Sequence, residues 1–141
     1  MDAIVQGREG KSFPFTPTKL SGNPRTELYQ KVLKYLDVHK VYLDRELSLS
    51  KFSSIVGTNT TYLSNTVNEM FGCNLKSLIN WYRVQYAKEV LRRGICRLKD
   101  IPFVCGFASK SVFYVAFRKV VGMTPLQYIS QSRNPFMIQR N

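Results

Sequence analysis

The chain has 141 residues, 44% of them apolar, so one domain with a real core is expected and wholesale disorder is not. Its 21 Lys and Arg against 9 Asp and Glu give a net charge of +12, made up of +2 over residues 1–47 and +10 over residues 48–141. This excess favours polyanionic partners, nucleic acid before acidic membrane, with a basic protein kept soluble by its charge as the alternative.

Several classes of protein are excluded by what the sequence lacks. It has no apolar run of about 18 residues, so no transmembrane helix is expected, and its N-terminus lacks the apolar segment of a signal peptide. Cys73, Cys96 and Cys105 form no CxxC pair, which predicts reduced, mostly buried thiols and fits the cytosol. With His39 as the only histidine, we predict no metal site and no cofactor. An enzyme is not expected, because no nucleophile–base pair, paired carboxylates or phosphate loop is present.

The first 47 residues divide into an arm, a helix and a linker. Residues 1–25 hold scattered glycines and prolines without periodicity, which predicts a flexible arm. From Thr26 onward, Leu28, Val32, Tyr35 and Leu36 recur at helical spacing. They predict a helix with Thr26 as its N-cap that runs to about His39, followed by a linker to residue 47.

Residues 48–72 have the pattern of two short helices separated by a glycine turn. Ser48 is a suitable N-cap for the first helix, and Gly57 can end it in the left-handed conformation. Asn59 then caps a helix over residues 60–71, which Gly72 closes. Helix, glycine turn and helix within so short a stretch predict a helix-turn-helix unit.

Residue 74 begins a longer helix that leads to a second unit of the same kind. Asn74 caps a helix over residues 75–93, and a short helix follows from about Leu98 or Asp100 to Cys105, with the later start favoured by Pro102. Pro102 must fall in the first turn of that helix, because proline in a helix interior costs about 3 kcal/mol. Ser109 caps a helix over residues 110–121, which ends at Gly122.

An internal repeat relates the two units. The sequence from Gly57 aligns with that from Gly106, and Gly72 aligns with Gly122 one residue out of step. Thr124 and Pro125 then open a final helix to about Ser132, and residues 133–141 form a tail. The predicted fold is all-α: two helix-turn-helix subdomains joined by a long central helix, with an extra N-terminal helix.

The two helix-turn-helix units, the helix between them and the start of the final helix contain a dense, ordered series of motifs. They are Tyr62-Leu63-Ser64, Arg83, Ala87-Lys88, Leu91, Gly106-Phe107, Phe113, Phe117-Arg118-Lys119 and Gly122-Met123-Thr124-Pro125-Leu126-Gln127-Tyr128. With these motifs, residues 48–132 resemble the DNA-binding domain of AraC/XylS-type transcription regulators. The helix near residues 26–40 resembles the extra helix that precedes this domain in a subset of the family. The preceding chain is too short for the sensor or dimerisation domain of most members, so we expect either a fragment of a larger regulator or a stand-alone member.

The resemblance implies that the second helix of each unit enters the major groove of DNA. An α-helix fits that groove, and polar side chains can read the base edges there. The alternative for each helix is an ordinary solvated face. The outward positions, which we predict as base contacts, are Thr60, Thr61, Ser64, Asn65 and Asn68 on the first helix and Lys110, Ser111, Tyr114 and Val115 on the second.

Three of these positions have specific expectations. The family commonly has a basic residue at the positions of Asn65 and Val115, and neither is basic here. Asn65 therefore favours adenine over guanine. Val115 meets a thymine methyl group or packs on the rim of the core. Lys110, a cation at a helix N-terminus, faces a guanine, a phosphate or solvent.

The basic residues of the domain are the candidates for phosphate contacts. The full set is Lys51, Lys76, Arg83, Lys88, Arg92, Arg93, Arg97, Arg118 and Lys119, of which we select Lys51, Lys76, Arg118 and Lys119. The free amides at the helix N-termini near Asn74 and Thr124 can also hold a phosphate. For Arg83, a structural role that orders the long helix is favoured over phosphate contact. Structural roles are also predicted for Gly57, Gly106 and Pro125.

These features predict a sequence-specific regulator of transcription that binds double-stranded DNA in the cytoplasm, associated with the nucleoid. If the two reading helices enter successive major grooves, they lie about 34 Å apart, and a site of other spacing is bent. RNA polymerase and a second copy, held through a missing N-terminal region, are the expected protein partners, and no membrane contact is expected. The N-terminal helix caps the first unit, mediates dimerisation or passes a signal. The main alternative is an interaction module that keeps the fold without specific DNA binding.

Overall fold

The computed structural model describes residues 24–132, and every regular element in that range is helical, which confirms the predicted all-α class. The predicted arm, except for residues 24 and 25, and the predicted tail at residues 133–141 lie outside the described residues. Two 3₁₀ turns span Val41–Leu43 and Leu98–Asp100. The α-helices are α1 (Pro24–Asp37), α2 (Leu49–Val56), α3 (Thr60–Phe71), α4 (Leu75–Arg93), α5 (Ile101–Val104), α6 (Lys110–Val121) and α7 (Pro125–Ser132).

The N-terminal helix differs from its predicted bounds at both ends. It begins at Pro24, so Thr26 lies inside the helix and is not its N-cap. Proline suits the first helical position because its fixed φ is already helical and its missing N–H would have no partner there. The helix ends at Asp37, two residues early, and Lys40 then takes a left-handed φ of 49°.

The predicted helix caps are confirmed at α2, α3, α4 and α6. Each capping side chain accepts a hydrogen bond from a backbone N–H three residues later, which satisfies one of the unpaired amides of the first turn. At α7 the Thr124 hydroxyl accepts from the Gln127 amide at 3.1 Å, and the Gln127 side chain accepts in return from the Thr124 amide at 2.9 Å. This reciprocal pair fixes where the final helix begins, with Pro125 buried in its first turn.

Glycines end α2, α3 and α6 in the left-handed conformation. Gly57, Gly72 and Gly122 have φ values of 78°, 78° and 86°. A Cβ on Gly57 or Gly122 would meet nothing within 4 Å, so the requirement for glycine there comes from the backbone angle alone.

The first of two compact units contains α1, α2 and α3 and extends to Ile79 in α4. Helix α1 packs on both α2 and α3. Its apolar face is buried within the unit through Leu28, Tyr29, Val32, Leu33 and Leu36. Of the three roles that the sequence leaves open for this helix, packing on the first unit is therefore the one that accounts for its apolar face.

The second unit consists of the connecting segment Tyr42–Glu46 and the chain from Asn80 onward. Its core combines the second half of α4 with α5, α6 and the turn between them, and α7 packs against this core through Tyr128 and Ile129. Pro102 lies in the first turn of α5, directly after the 3₁₀ turn, as its chemistry requires.

The cysteines are all free thiols in the described residues. Cys105 is buried, and its burial, with a smaller effect of Cys96, raises the pKa of its thiol to about 12. Burial likewise raises the pKa of the half-buried Cys73 to about 11. Both are therefore protonated and unreactive at neutral pH.

The connecting segment is held against Gly106 by very close packing. Gly106 has a φ of 97°, and a Cβ there would lie 2.3 Å from the Tyr42 carbonyl oxygen and 3.0 Å from the Leu43 Cα. No side chain fits at that distance from a backbone atom. The turn between α5 and α6 thus requires glycine for two reasons, its backbone angle and the space occupied by the connecting segment.

We predict that Gly106→Ala destabilises the chain much more than Gly57→Ala. The Gly57 variant meets only the unfavourable backbone angle, worth about 1 kcal/mol. The Gly106 variant adds a collision with a buried carbonyl and should cost about 3 kcal/mol or more. Urea denaturation of both variants measures the difference, and equal losses would show that contact with the connecting segment is not the cause.

Candidate nucleic-acid interface

The predicted reading face of α3 (Thr60, Thr61, Ser64, Asn65 and Asn68) lies on the surface of the first unit. Thr61, Asn65 and Asn68 are exposed, whereas Thr60 and Ser64 are half-buried. The Asn68 side-chain amide donates to the Ser64 carbonyl at 2.9 Å, so one of its two N–H donors is engaged within the helix. The Asn65 side chain makes no hydrogen bond within the described residues, which leaves its donor and acceptor both available for an adenine edge.

Two further residues of α3 share this surface and were missed by the sequence analysis. Glu69 is exposed and Tyr62 is half-buried. Tyr62 lies three residues before Asn65, and Glu69 lies four residues after it. Glu69 is the sole charged residue of α3, which has no Lys or Arg. The spacing of positions 62, 65 and 69 was the available signal, because residues three and four apart occupy one helical face.

The predicted reading residues of α6 are mostly exposed on the second unit. Lys110, Ser111 and Val115 are exposed, and Val115 keeps 69% of its accessible surface. The suggestion that Val115 packs on the rim of the core is therefore wrong. Tyr114 is half-buried and lies against the core, with its ring 5.3 Å from that of Phe113.

An open groove runs along the second half of α6. It has a volume of about 460 Å³ and is lined by Tyr114, Val115, Arg118, Lys119 and Gly122. The groove combines two exposed cations with an exposed apolar side chain. The two cations can contact phosphates, and the apolar side chain can contact a thymine methyl group.

The candidate phosphate contacts fall into two groups. Lys51, Lys76, Arg118 and Lys119 are exposed. Three arginines contact acidic side chains: Arg92 and Arg93 both bind Glu89, and Arg97 binds Asp100 at 3.3 Å. These hydrogen bonds lower the pKa of the Glu89 carboxyl, first through Arg93 and then through Arg92.

Lys88 is less available to a phosphate than the exposed lysines. It is half-buried, with its ammonium 5.8 Å from the centre of the Tyr128 ring and 3.4 Å from the Gln85 side-chain oxygen. Burial, followed by the neighbouring Arg92, lowers the pKa of this ammonium. Its position fits packing of α4 against α7 better than contact with DNA.

Arg83 is enclosed within the second unit and anchors the connecting segment. It is only 9% exposed, and its Nε donates to the Tyr42 carbonyl at 2.7 Å while a terminal nitrogen donates to the Asp44 carbonyl at 2.9 Å. The guanidinium carbon lies 5.6 Å from the centre of the Phe107 ring. Burial lowers the pKa of Arg83 and the Asp44 carboxylate opposes that shift, but an arginine remains protonated in either case.

Neither a membrane span nor a metal site is found among residues 24–132. No helix in that range is both long and apolar enough to cross a bilayer. No three metal-ligating side chains of these residues lie close enough together to hold an ion.

Comparison with known proteins identifies the domain. A family model described as a helix-turn-helix domain matches residues 52–131, which is more than half of the chain. The chain belongs to the AraC/XylS family. The matched range contains α3 and α6 entire, together with α4 between them.

Curated relatives of this family member are bacterial regulators of greater length. The melibiose operon regulatory protein of Escherichia coli K12 is 30% identical over 92 residues, which cover 64% of this chain and 30% of that protein. The HTH-type transcriptional activator RhaR of Enterobacter sp. strain 638 is 25% identical over 123 residues, covering 87% of this chain and 43% of RhaR. The chain thus spans less than half the length of these two relatives.

Solved structures match nearly over their whole length. A protein of unknown function from Listeria innocua is 28% identical with a TM-score of 0.67, covering 74% of this chain and 97% of that one. The C-terminal domain of AraT, a response regulator from Geobacillus stearothermophilus, has a TM-score of 0.70 at 20% identity, covering 79% of this chain and 91% of that domain. The latter likeness establishes the fold alone.

We predict that Arg83→Lys destabilises the chain by about 2 kcal/mol, because a lysine cannot reach both carbonyls and one charge-assisted hydrogen bond is lost. Arg45→Lys is the matched control: Arg45 is exposed over the Phe103 ring, and the change should stay within about 0.5 kcal/mol. Urea denaturation measures both. If Arg83 served a phosphate instead, its replacement would leave unfolding unchanged and reduce only the salt dependence of DNA binding.

Proposed function

We propose that this chain is a sequence-specific regulator of transcription that binds double-stranded DNA through α3 and α6. The observation that carries the proposal is the duplication within the AraC/XylS domain. Each helix has 12 residues, begins at a side-chain N-cap and ends at a left-handed glycine. Each buries one face in its own unit and leaves the other exposed, as a helix that enters a major groove must.

The two helices offer different chemistry to DNA. The reading face of α3 has no cation, and Glu69 is the one charge on the helix; the Asn65 amide can pair with adenine N6 and N7. Helix α6 brings Lys110, Arg118 and Lys119 with an exposed Val115. We infer that α3 supplies base discrimination, while α6 supplies most of the phosphate contacts and reads a thymine methyl group through Val115.

The mechanism that follows is occupation of successive major grooves by the two helices, at a spacing of about one helical turn, 34 Å. A target with another spacing would be bent on binding, at a cost that depends on its sequence. Transcription would respond through contact with RNA polymerase, and dimerisation through sequence beyond this domain. The names of the relatives, regulators and activators of transcription, support this role. The location proposed for it is the bacterial cytoplasm, at the nucleoid, and no catalytic step is proposed.

The first test is fluorescence anisotropy of the full chain with random and genomic duplexes, repeated from low to physiological salt. We expect log affinity to fall steeply with log salt concentration on every duplex. We also expect a preference of at least about a hundredfold for selected sequences. A steep salt dependence without preference would place specificity elsewhere in a longer protein. No binding at low salt would overturn the proposal and favour an interaction module.

A second test separates base reading from phosphate binding. We expect Asn65→Ala to lose about tenfold in affinity for the preferred duplex and little for random DNA, because one bidentate contact is removed. Arg118→Ala should weaken binding to all duplexes and reduce the salt slope by about one.

The controls are Gln30→Ala and Lys99→Ala, which remove an exposed amide and an exposed cation outside the two reading helices. Both should bind as the wild type does. If Asn65→Ala weakens binding to random DNA as much as to the preferred duplex, α3 does not read bases through this residue.

A further inference from the structure

Arg25, in the first turn of α1, lies against the DNA-reading helix of the first unit. It forms an ion pair with Glu69, and its guanidinium carbon is 5.8 Å from the centre of the Tyr62 ring. Tyr62 and Glu69 are seven residues apart, two turns along one face of α3. One guanidinium therefore contacts two side chains that lie two turns apart on α3.

The backbone of Arg25 is held in this place by the packing of α1. Leu28 and Tyr29, one turn later, are 5% and 4% exposed, and the Tyr29 ring lies 5.0 Å from that of Phe71 in α3. The side chains of Arg25 and Glu69 themselves remain 35% and 50% exposed. The pair is thus anchored by a buried helix face but remains open at the surface where DNA is expected.

Neither charge stabilises its own helix. Arg25 is the second residue of α1, where the positive end of the helix dipole disfavours a cation. Glu69 is in the last turn of α3, where the negative end disfavours an anion. Each charge is mildly unfavourable within its own helix, so the contact between the two helices is what accounts for the pair.

Glu69 has a particular consequence for a DNA-binding surface. It is the one formal charge on α3, and it shares an exposed face with Asn65. A carboxylate at that place repels the phosphates that flank a major groove. A cation held beside it cancels most of that repulsion, and its cation–π contact with the Tyr62 ring helps to keep it there.

We propose that Arg25 is a positioning residue for DNA recognition: by pairing with Glu69 and covering Tyr62, it makes the surface of α3 acceptable to the phosphate backbone. The proposal rests on the proposed function. It gives α1, which lies outside the range matched by the family model, a direct part in DNA affinity. The role is exerted through Glu69, not through a contact between Arg25 and DNA.

The test is a double-mutant cycle on the full chain, with affinity for the preferred duplex measured by anisotropy over a salt series. We expect Arg25→Ala to weaken binding about fivefold at low salt, and less at high salt where charges are screened. Glu69→Gln should strengthen binding about threefold. In the Glu69→Gln background, Arg25→Ala should then have almost no effect, and Arg25→Lys should retain most of the wild-type affinity.

Lys31→Ala is the matched control, because it removes one exposed cation from the same helix and should change affinity little. Thermal unfolding of each variant separates loss of folding from loss of charge, and Glu69→Gln remains informative if Arg25→Ala does not fold. Equal weakening by Arg25→Ala in both backgrounds, or no strengthening by Glu69→Gln, would overturn the proposal. A wild-type chain that binds no DNA would instead overturn the proposed function, and this inference with it.

Discussion

The second unit depends on the hydrogen bonds that Arg83 donates to the connecting segment. The Tyr42 and Asp44 carbonyls accept from one buried guanidinium, and Gly106 packs against the same Tyr42 oxygen. Three distant parts of the sequence are thereby fixed to each other. The turn that leads into α6 is among them, so Arg83 lies at the centre of the contacts that hold this turn in place.

Local chemistry in the sequence was sufficient to predict most of the helices. Capping side chains and left-handed glycines mark the ends of α2, α3 and α6, and apolar spacing marks their buried faces. The predicted start of α1 was wrong, because the sequence does not distinguish a proline at the first position of a helix from a proline in an irregular arm. The position of residues 42–46 could not be predicted from the sequence. It depends on hydrogen bonds from Arg83 to backbone carbonyl groups, and because every residue has such a group, the sequence does not mark the ones that are bound. On the predicted reading faces, helical spacing correctly predicted that Asn65 and Lys110 are exposed. It did not single out Glu69, because the ion-pair partner of Glu69 lies on another helix.

The acidic residues of the DNA-binding region explain how the charge is distributed. These residues are Glu69, Glu89 and Asp100, and each of them forms an ion pair with an arginine. Part of the positive charge is therefore engaged in contacts within the protein. The cations beyond these pairs include Lys76, Lys110, Arg118 and Lys119, for which no ion pair is found within residues 24–132. The net charge predicts a polyanionic partner. The ion pairs within the protein indicate which cationic side chains are available to that partner.

The connecting segment also imposes an order on biosynthesis. Tyr42 precedes Arg83 by 41 residues, so its carbonyl leaves the ribosome well before the guanidinium that binds it. At the usual elongation rates this interval is about two to eight seconds, and Gly106 follows later still. The helices of the first unit can pack during that time, whereas the second unit can close only afterwards, onto a segment made long before. A chain begun at Ser48, where the region that resembles the family begins, would never complete that closure.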